Sequence, residues 1–395
     1  MGDDATPISW RPRPVPLAIK ESVENEIQRL VHDGVLEGVD PTTTPITWAS
    51  PIVVAKKSNG NLRICGDFRV TINPYLKKNN YPLPLFEELT AKLSGGIRFT
   101  VIDLKDAYLQ MEVDEDSREL LVIATHLGYF RYTRLPFGVS VAPALFQNAM
   151  DVLLHDLPHV SCFLDDIIIT GKDDTEHLSN VEKVLSRLEK IGLTTQRSKC
   201  KFLQESITYL GHKIDKDGIH PNKSSVQCLL DMPALTNTKE LKSWLGSVNF
   251  YTRFIPMLQP ITSGLYNLLR KDTQWKWARD EQKCFAHVKE KLSSCSWLTH
   301  YDPKLPLIMD TDASSQGIGA VLLQVNKDGN EYPVSFTSRI LSPCEKKYST
   351  IEREALAIVY GLKKFNQYLY GRHFMIRTDH KPLEHLFSTK RPCLR

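Results

Sequence analysis

The sequence has no run of 18 apolar residues, no cysteine spacing of the zinc or disulfide type, and no basic and apolar leader in its first residues, MGDDATPISW. A membrane-spanning helix and a secretory route are therefore not expected. The eight cysteines, at 65, 162, 200, 228, 284, 295, 344 and 393, are scattered and form no C-x-x-C pair. Reduced thiols in a cytosolic or nuclear setting are the expectation. An excess of one charge is also missing: 50 Lys and Arg against 46 Asp and Glu leave a net +4, which by itself argues little for a polyanionic partner. What is present is ordinary for a globular protein, 42% hydrophobic and 24% charged, which argues against disorder. A length of 395 residues implies two to four domains.

Against that background one stretch stands out, Phe163-Leu164-Asp165-Asp166-Ile167-Ile168-Ile169-Thr170. β-prone residues flank two adjacent carboxylates, which predicts strand, tight turn, strand. The turn contains neither Gly nor Asn, so ordinary hairpin chemistry does not account for it. Two neighbouring negative charges repel, and burying them is costly unless a cation intervenes. The octet alone leaves a metal site and a solvated acidic turn both open.

Earlier in the chain, RPRPVP (residues 11–16) predicts an extended arm. Ile19, Val23, Ile27, Leu30 and Val31 predict a helix over 17–36, ending near Gly34. Residues 51–55 and 61–65 predict a hairpin around Asn59-Gly60, with Lys56, Lys57 and Arg63 near its tip. Those cations serve equally well as edge protection or as a flap over a phosphate chain. Residues 97–104 predict a buried strand ending in Asp103, an acid that needs a partner, a metal or a helix-capping role. Tyr108 lies near that acid or is a core aromatic. A helix is predicted from Pro143 to about Leu154. Another spans 175–191, with Leu178, Val181, Val184, Leu185 and Leu188 on its apolar face. Basic residues cluster at Arg197, Lys199 and Lys201, and a strand pair covers 207–214. Beyond residue 220 helices dominate, with apolar Leu241, Trp244, Leu245, Val248, Phe250 and Phe254; Trp275-Lys276-Trp277 suits either base stacking or core packing.

The blocks LRICGDFR, VIDLKDAYLQM, LPFGVSVAPALFQNAM, FLDDIIIT and YLGH occur in the order found in reverse transcriptases, and the chain resembles the polymerase of a gypsy-type long-terminal-repeat retrotransposon Pol polyprotein. The resemblance implies an α+β, right-hand polymerase with fingers, palm and thumb, then a connection and an RNase H-like α/β domain. It implies Asp103, Asp165 and Asp166 as catalytic carboxylates on two Mg²⁺ ions (Mn²⁺ as a substitute), with the Leu104 carbonyl as a further ligand. It assigns Lys57 and Arg63 to the triphosphate, and Gln147 to a place beside the incoming nucleotide. Tyr108 becomes the ring that excludes the 2′-hydroxyl, and Tyr209, Leu210, Gly211 and His212 the loop that grips the primer. Phe163 stands where Tyr is more usual.

The last hundred residues carry a second set of acids. Strands are predicted over 305–312 and 317–324, a helix over 349–369 with a stripe of Ile351, Ala355, Ile358, Leu362 and Phe365, and a strand over 373–379. Glu354 borders that stripe. Each acid alone is also an ordinary surface acid. TDASSQGIGAVL, EREALAIV and TDHKPL resemble the RNase H domain of the same elements, which implies Asp312 (Asp310 as the lesser choice), Glu354 and Asp379 as metal-binding residues acting on RNA–DNA hybrid. The implied boundaries are fingers and palm 1–225, thumb 226–270, connection 271–303 and RNase H-like domain 304–395, C-terminally truncated because the family's domain continues past the sixteen residues that follow Asp379. No protease or integrase segment is present, so the expectation is a polyprotein fragment or a decayed copy, acting in the cytoplasm within a retroelement particle or in the nucleus. The expected partners are RNA template, DNA primer, RNA–DNA hybrid and dNTPs, with no membrane; oligomeric state stays open. The competing expectation is an inert or domesticated nucleic-acid-binding remnant.

Overall fold

The computed structural model describes residues 2, 5–56, 60–77, 79–271 and 273–383. The chain divides into two compact units, residues 1–92 with 99–203, and residues 93–98 with 204–395. No helix among the described residues is long and apolar enough to cross a membrane.

The first unit carries strands β1 (Leu36–Val39), β2 (Ser50–Lys56), β3 (Leu62–Gly66), β4 (Arg98–Asp103), β5 (Val122–Thr125), β6 (Gly128–Tyr132), β7 (Val160–Phe163), β8 (Asp166–Gly171) and β9 (Lys201–Gln204). Its helices are α1 (Lys20–His32), α2 (Phe86–Ala91), α3 (Glu115–Arg118), α4 (Ala142–Leu154) and α5 (Asp174–Lys190). One sheet has the order β1-β6-β5-β2-β3 and the other β7-β8-β4-β9. The predicted α1 forms because Val23, Ile27 and Leu30 recur on one face, and all three are buried. It stops where Gly34 takes φ 69° and Val35 N–H reaches back to the Leu30 carbonyl, 2.9 Å. The second sheet is central to the unit. Ile167, Ile168 and Ile169 of β8 are all fully buried, so this unbroken apolar run is a strand covered on both faces.

The buried face of α5 differs from the predicted stripe. Leu178 and Leu185 are exposed, at 52% and 38%, while His177 and Asn180 lie inside with Val181, Val184 and Leu188. Hydrogen bonds make this possible: Asn180 Nδ2 donates to the Thr170 carbonyl (3.0 Å), and His177 Nε2 meets Thr100 Oγ1 at 2.8 Å. A satisfied polar group can displace leucine from a core face.

The second unit holds β10 (Ser206–Tyr209), β11 (His212–Asp215) and β12 (Ile219–Pro221), paired in that order, then α6 (Lys223–Asp231), α7 (Thr238–Asn249), α8 (Leu258–Asn267) and α9 (Arg279–Ser293). A further sheet follows, of β13 (Leu307–Ala313), β14 (Gly317–Val325), β15 (Glu331–Ile340) and β16 (Phe374–Arg377) in the order β15-β14-β13-β16, with α10 (Thr350–Lys364) packed on β13 and β14 and α11 (Asn366–Leu369) after it. The predicted continuous helix over 349–369 is broken at Phe365, and β15 lacks any counterpart in the predicted elements. The expected boundary at residue 225 is not where compactness changes. Residues 204–221 group with the later helices, because Ile219 bridges to Leu298 and the His300 imidazole contacts the Asp215 carbonyl at 2.7 Å. Trp277 stacks on Trp275 (5.8 Å) and meets Phe285 edge-on, and Phe285 lies 4.6 Å from Trp244, so this aromatic run belongs to the helical core.

A Cβ at Gly171, the last residue of β8, would lie 2.5 Å from the backbone nitrogen of His177. Gly171→Ala is expected to cost about 1–3 kcal/mol by overpacking. Chemical denaturation checks this, and an unchanged midpoint contradicts the packing.

Candidate active sites

β7 and β8 are joined by a two-residue turn, Leu164-Asp165, closed by the pair Phe163↔Asp166. With no glycine available, Leu164 takes the left-handed conformation, φ 54°. That costs an L-residue roughly 1–2 kcal/mol. The compensation comes from Gln147 on α4, whose Oε1 accepts the Leu164 N–H (2.7 Å) and whose Nε2 donates to the Cys162 carbonyl (3.0 Å). Gln147 is fully buried. This corrects the expectation that it lies beside a nucleotide: its carboxamide is consumed by the hairpin backbone.

The turn is also tied to β4. Leu104 N–H donates to the Asp165 carbonyl at 3.1 Å, so the strand carrying Asp103 ends against the turn carrying Asp165. Burial pushes the Asp166 carboxyl up to about 6, helped by the charges of Asp165 and Asp103, with Lys199 opposing. The three acids therefore share one electrostatic neighbourhood. Asp103 is compensated by Lys199, whose Nζ lies 3.2 Å from both carboxylate oxygens. These residues border a cleft of about 570 Å³ lined also by Lys56, Arg63, Phe137, Gln196 and Ser198. The Arg63 guanidinium sits 4.3 Å over the Phe137 ring. Tyr108 packs against Phe137 (5.2 Å) and Phe146 (5.4 Å), and its phenol is raised by burial and then by the Asp165 charge. Phe137 was not singled out in the sequence, and Lys199 appeared only as a member of a basic cluster. Lys57 lies outside the described residues.

The strand pair at Tyr209–His212 belongs to the second unit. Tyr209 and His212 are buried and pair across β10 and β11, leaving Leu210 (φ 45°) and Gly211 (φ 78°) at the tip. His212 stacks on Phe250 at 4.6 Å, and burial, then Arg253, pulls its imidazole down to about 4. The tip thus offers backbone rather than these two side chains.

In the same unit, Asp312 is the penultimate residue of β13, Asp379 follows β16 and Glu354 projects from α10. Glu354 is 4% exposed, well inside the stripe it was expected to border, because Ala357, Ile358 and Gly361 form the buried face. Its carboxyl is pushed up to about 7 by burial, then by Asp379 and Asp312, and its Oε2 is buried without a hydrogen-bond partner. Asp310 is set apart: Arg377 binds both its oxygens (2.7 and 2.6 Å) and continues to Glu331.

Both acid sets are hard oxygen donors whose mutual repulsion is at most partly relieved, and the partnerless Glu354 Oε2 points the same way, so their chemistry fits a divalent cation. Among the described residues, however, no group of three or more His, Cys, Asp or Glu is arranged to hold a metal ion; at Asp103 the carboxylate is turned to Lys199 instead.

With this geometry in view, residues 54–214 match the family model for reverse transcriptase (RNA-dependent DNA polymerase), and residues 277–376 match that for the RNase H-like domain found in reverse transcriptase. The chain therefore carries a reverse transcriptase domain followed by an RNase H-like domain. Curated relatives include the Tf2-3 and Tf2-4 transposon polyproteins of Schizosaccharomyces pombe, each 35% identical over 374 residues and covering 94% of this chain. The chain spans only 28% of their length. Among solved structures, the foamy viral protease-reverse transcriptase with dsDNA is similar in fold (TM-score 0.87, 22% identity, 100% of this chain and 82% of that one). Its complex with RNA/DNA hybrid is too (TM-score 0.81, 23% identity, 100% and 53%).

A carboxyl raised on folding stabilises the protein below its unfolded value near 4.5 and loses that contribution as pH rises through about 7. Glu354→Gln is thus expected to raise the melting temperature by a few degrees at pH 8 without divalent metal, and to leave it nearly unchanged at pH 5. Calorimetry at both pH values checks this, and equal shifts at the two contradict the burial of a charge.

Proposed function

We propose that the chain is the RNA- and DNA-directed DNA polymerase of a gypsy-type long-terminal-repeat retrotransposon, with an attached RNase H-like domain. The observation that carries this is the meeting of Asp103 and Asp165 in the cleft that Arg63 and Phe137 also line, with Asp166 feeling the charge of both acids and Tyr108 packed on Phe137. Its substrates are dNTPs, and its partners an RNA or DNA template, a DNA primer and RNA–DNA hybrid; the similar foamy viral protease-reverse transcriptase in complex with dsDNA and with RNA/DNA hybrid supports nucleic-acid partners. Its place is the cytoplasm, within a retroelement particle.

Asp103 and Asp165, with Asp166 and the Leu104 carbonyl, would hold Mg²⁺ in the polymerase site, and Asp312, Glu354 and Asp379 in the RNase H-like one. The bound metal neutralises charge that develops on the attacking and leaving oxygens of nucleotidyl transfer. The chain's own residues do the rest. Arg63, its plane fixed on Phe137, presents N–H donors to a triphosphate. Lys199 holds a positive charge at Asp103 until phosphates and metal take up its role. Tyr108, wedged between Phe137 and Phe146 and close to Asp165, forms a rigid wall that has no room for a 2′-hydroxyl. The exposed backbone at Leu210-Gly211 suits contact with a primer strand.

Asp165→Asn is expected to lower primer extension on an RNA template by on the order of 10²-fold or more, with template binding retained. Binding without incorporation by the unaltered chain, under Mg²⁺ and Mn²⁺ alike, contradicts the polymerase and supports an inert remnant. Binding to primer–template should also weaken steeply with salt as phosphate counterions are released; a flat response contradicts a duplex cleft. Tyr108→Val is expected to admit ribonucleotides, and unchanged discrimination removes the ring from that role.

A further inference from the structure

The geometry points to Asp151 and Tyr81 as positioning residues of the polymerase reaction, acting through Gln147 on the turn that carries Asp165. The inference rests on the polymerase reading and extends it to residues that touch neither nucleotide nor metal-binding acids.

The chain of contacts is continuous. Tyr81, in the segment between β3 and α2, donates its hydroxyl proton to Asp151 Oδ2 at 2.6 Å. Asp151 lies one helical turn after Gln147 on α4, and its Oδ1 accepts from Gln147 Nε2 at 2.9 Å. Gln147 then clips the hairpin on both sides of Phe163, at the Cys162 carbonyl and the Leu164 N–H. All of this lies within the first unit.

What Asp151 contributes is direction. A carboxamide can rotate by half a turn with little change in shape, exchanging its oxygen and its NH₂. An ionised carboxylate only accepts hydrogen bonds, so it draws the NH₂ end of Gln147 and leaves Oε1 for the Leu164 N–H. In the reversed orientation oxygen would face the Asp151 and Cys162 oxygens, and NH₂ would face an N–H donor, losing three bonds at a fully buried site. Leu164 has no glycine-like freedom to fall back on, and its φ of 54° persists only while the surroundings hold it. Asp165, the next residue, is aimed by that conformation and by the bond from Leu104 N–H to its carbonyl. Tyr81 in turn saturates the far oxygen of Asp151. The hydrogen bond to Asp151 pushes its phenol up to about 12, so it remains a donor across any assay pH.

Three variants and two readouts test this. In primer extension, Asp151→Leu is expected to lower kcat between about tenfold and 100-fold, the scale of a small misplacement of a reacting group. It should also raise the Mg²⁺ concentration for half-activation several-fold, with the KM for dNTP little changed. Asp151→Asn should recover most of the activity, since its oxygen can face Gln147 while its NH₂ donates to the Tyr81 hydroxyl. Tyr81→Phe should fall between. Amide hydrogen exchange over residues 160–166 should be faster in Asp151→Leu than in the unaltered chain. A wild-type metal profile in Asp151→Leu, or an Asp151→Asn variant as impaired as Asp151→Leu, overturns the proposal. So does unchanged exchange at the Leu164 amide, which is measured without catalysis. An unaltered chain that extends no primer defeats the polymerase reading instead, and exchange still decides the relay.

Discussion

A single backbone hydrogen bond, from the N–H of Leu104 to the carbonyl of Asp165, brings together two parts of the chain that would otherwise repel. Each side of the bond carries acid: Asp103 ends its strand, and Asp165 and Asp166 form a hairpin tip. Like charges at such range stay together only if the scaffold holds them and a cation relieves them. The scaffold is visible in the fully buried isoleucines of β8 and in the Gln147 clip. The relief is partial: Lys199 answers Asp103, while Asp166 still holds its proton more tightly than an ordinary carboxyl. That residual strain is what suits the site to a divalent ion and the phosphates that come with it.

The RNase H-like domain repeats the device with different elements. There a helix supplies the buried acid, Glu354, and two strand ends supply its neighbours, Asp312 and Asp379. In each set one acid is pushed up mainly by burial, Asp166 and Glu354, and in both a nearby acid is paired with a basic side chain, Asp103 with Lys199 and Asp310 with Arg377. The difference is that Arg377 binds Asp310 through two bonds and is braced by Glu331, a closed structural pair, whereas Lys199 reaches Asp103 from a largely exposed position.

Much of this was legible in the sequence where local chemistry and long-range role agree. Ile167-Ile168-Ile169 reads as a strand because β-branched residues favour the pleated surface, and ordered sequence blocks then assign the acids. Gln147 was misplaced because a glutamine's partners are set by tertiary geometry: nothing local says that its amide closes a turn 17 residues away rather than facing a ligand. The α5 stripe failed for a related reason, since hydrophobic periodicity cannot register that Thr170 and Thr100 wait to satisfy Asn180 and His177. Phe137 carries no signal as a site residue until Arg63 is seen over its ring.

The convergence of Asp103 with Asp165 and Asp166 on one metal is the claim on which the rest stands, and iron-directed cleavage tests it most directly. With Fe²⁺ in place of Mg²⁺, ascorbate and peroxide cut the backbone beside bound metal. Cuts are expected at both the Asp103 segment and the Asp165-Asp166 turn, competed away by Mg²⁺ and lost together in Asp103→Asn. Cuts confined to one segment, or surviving that substitution unchanged, would contradict the shared site.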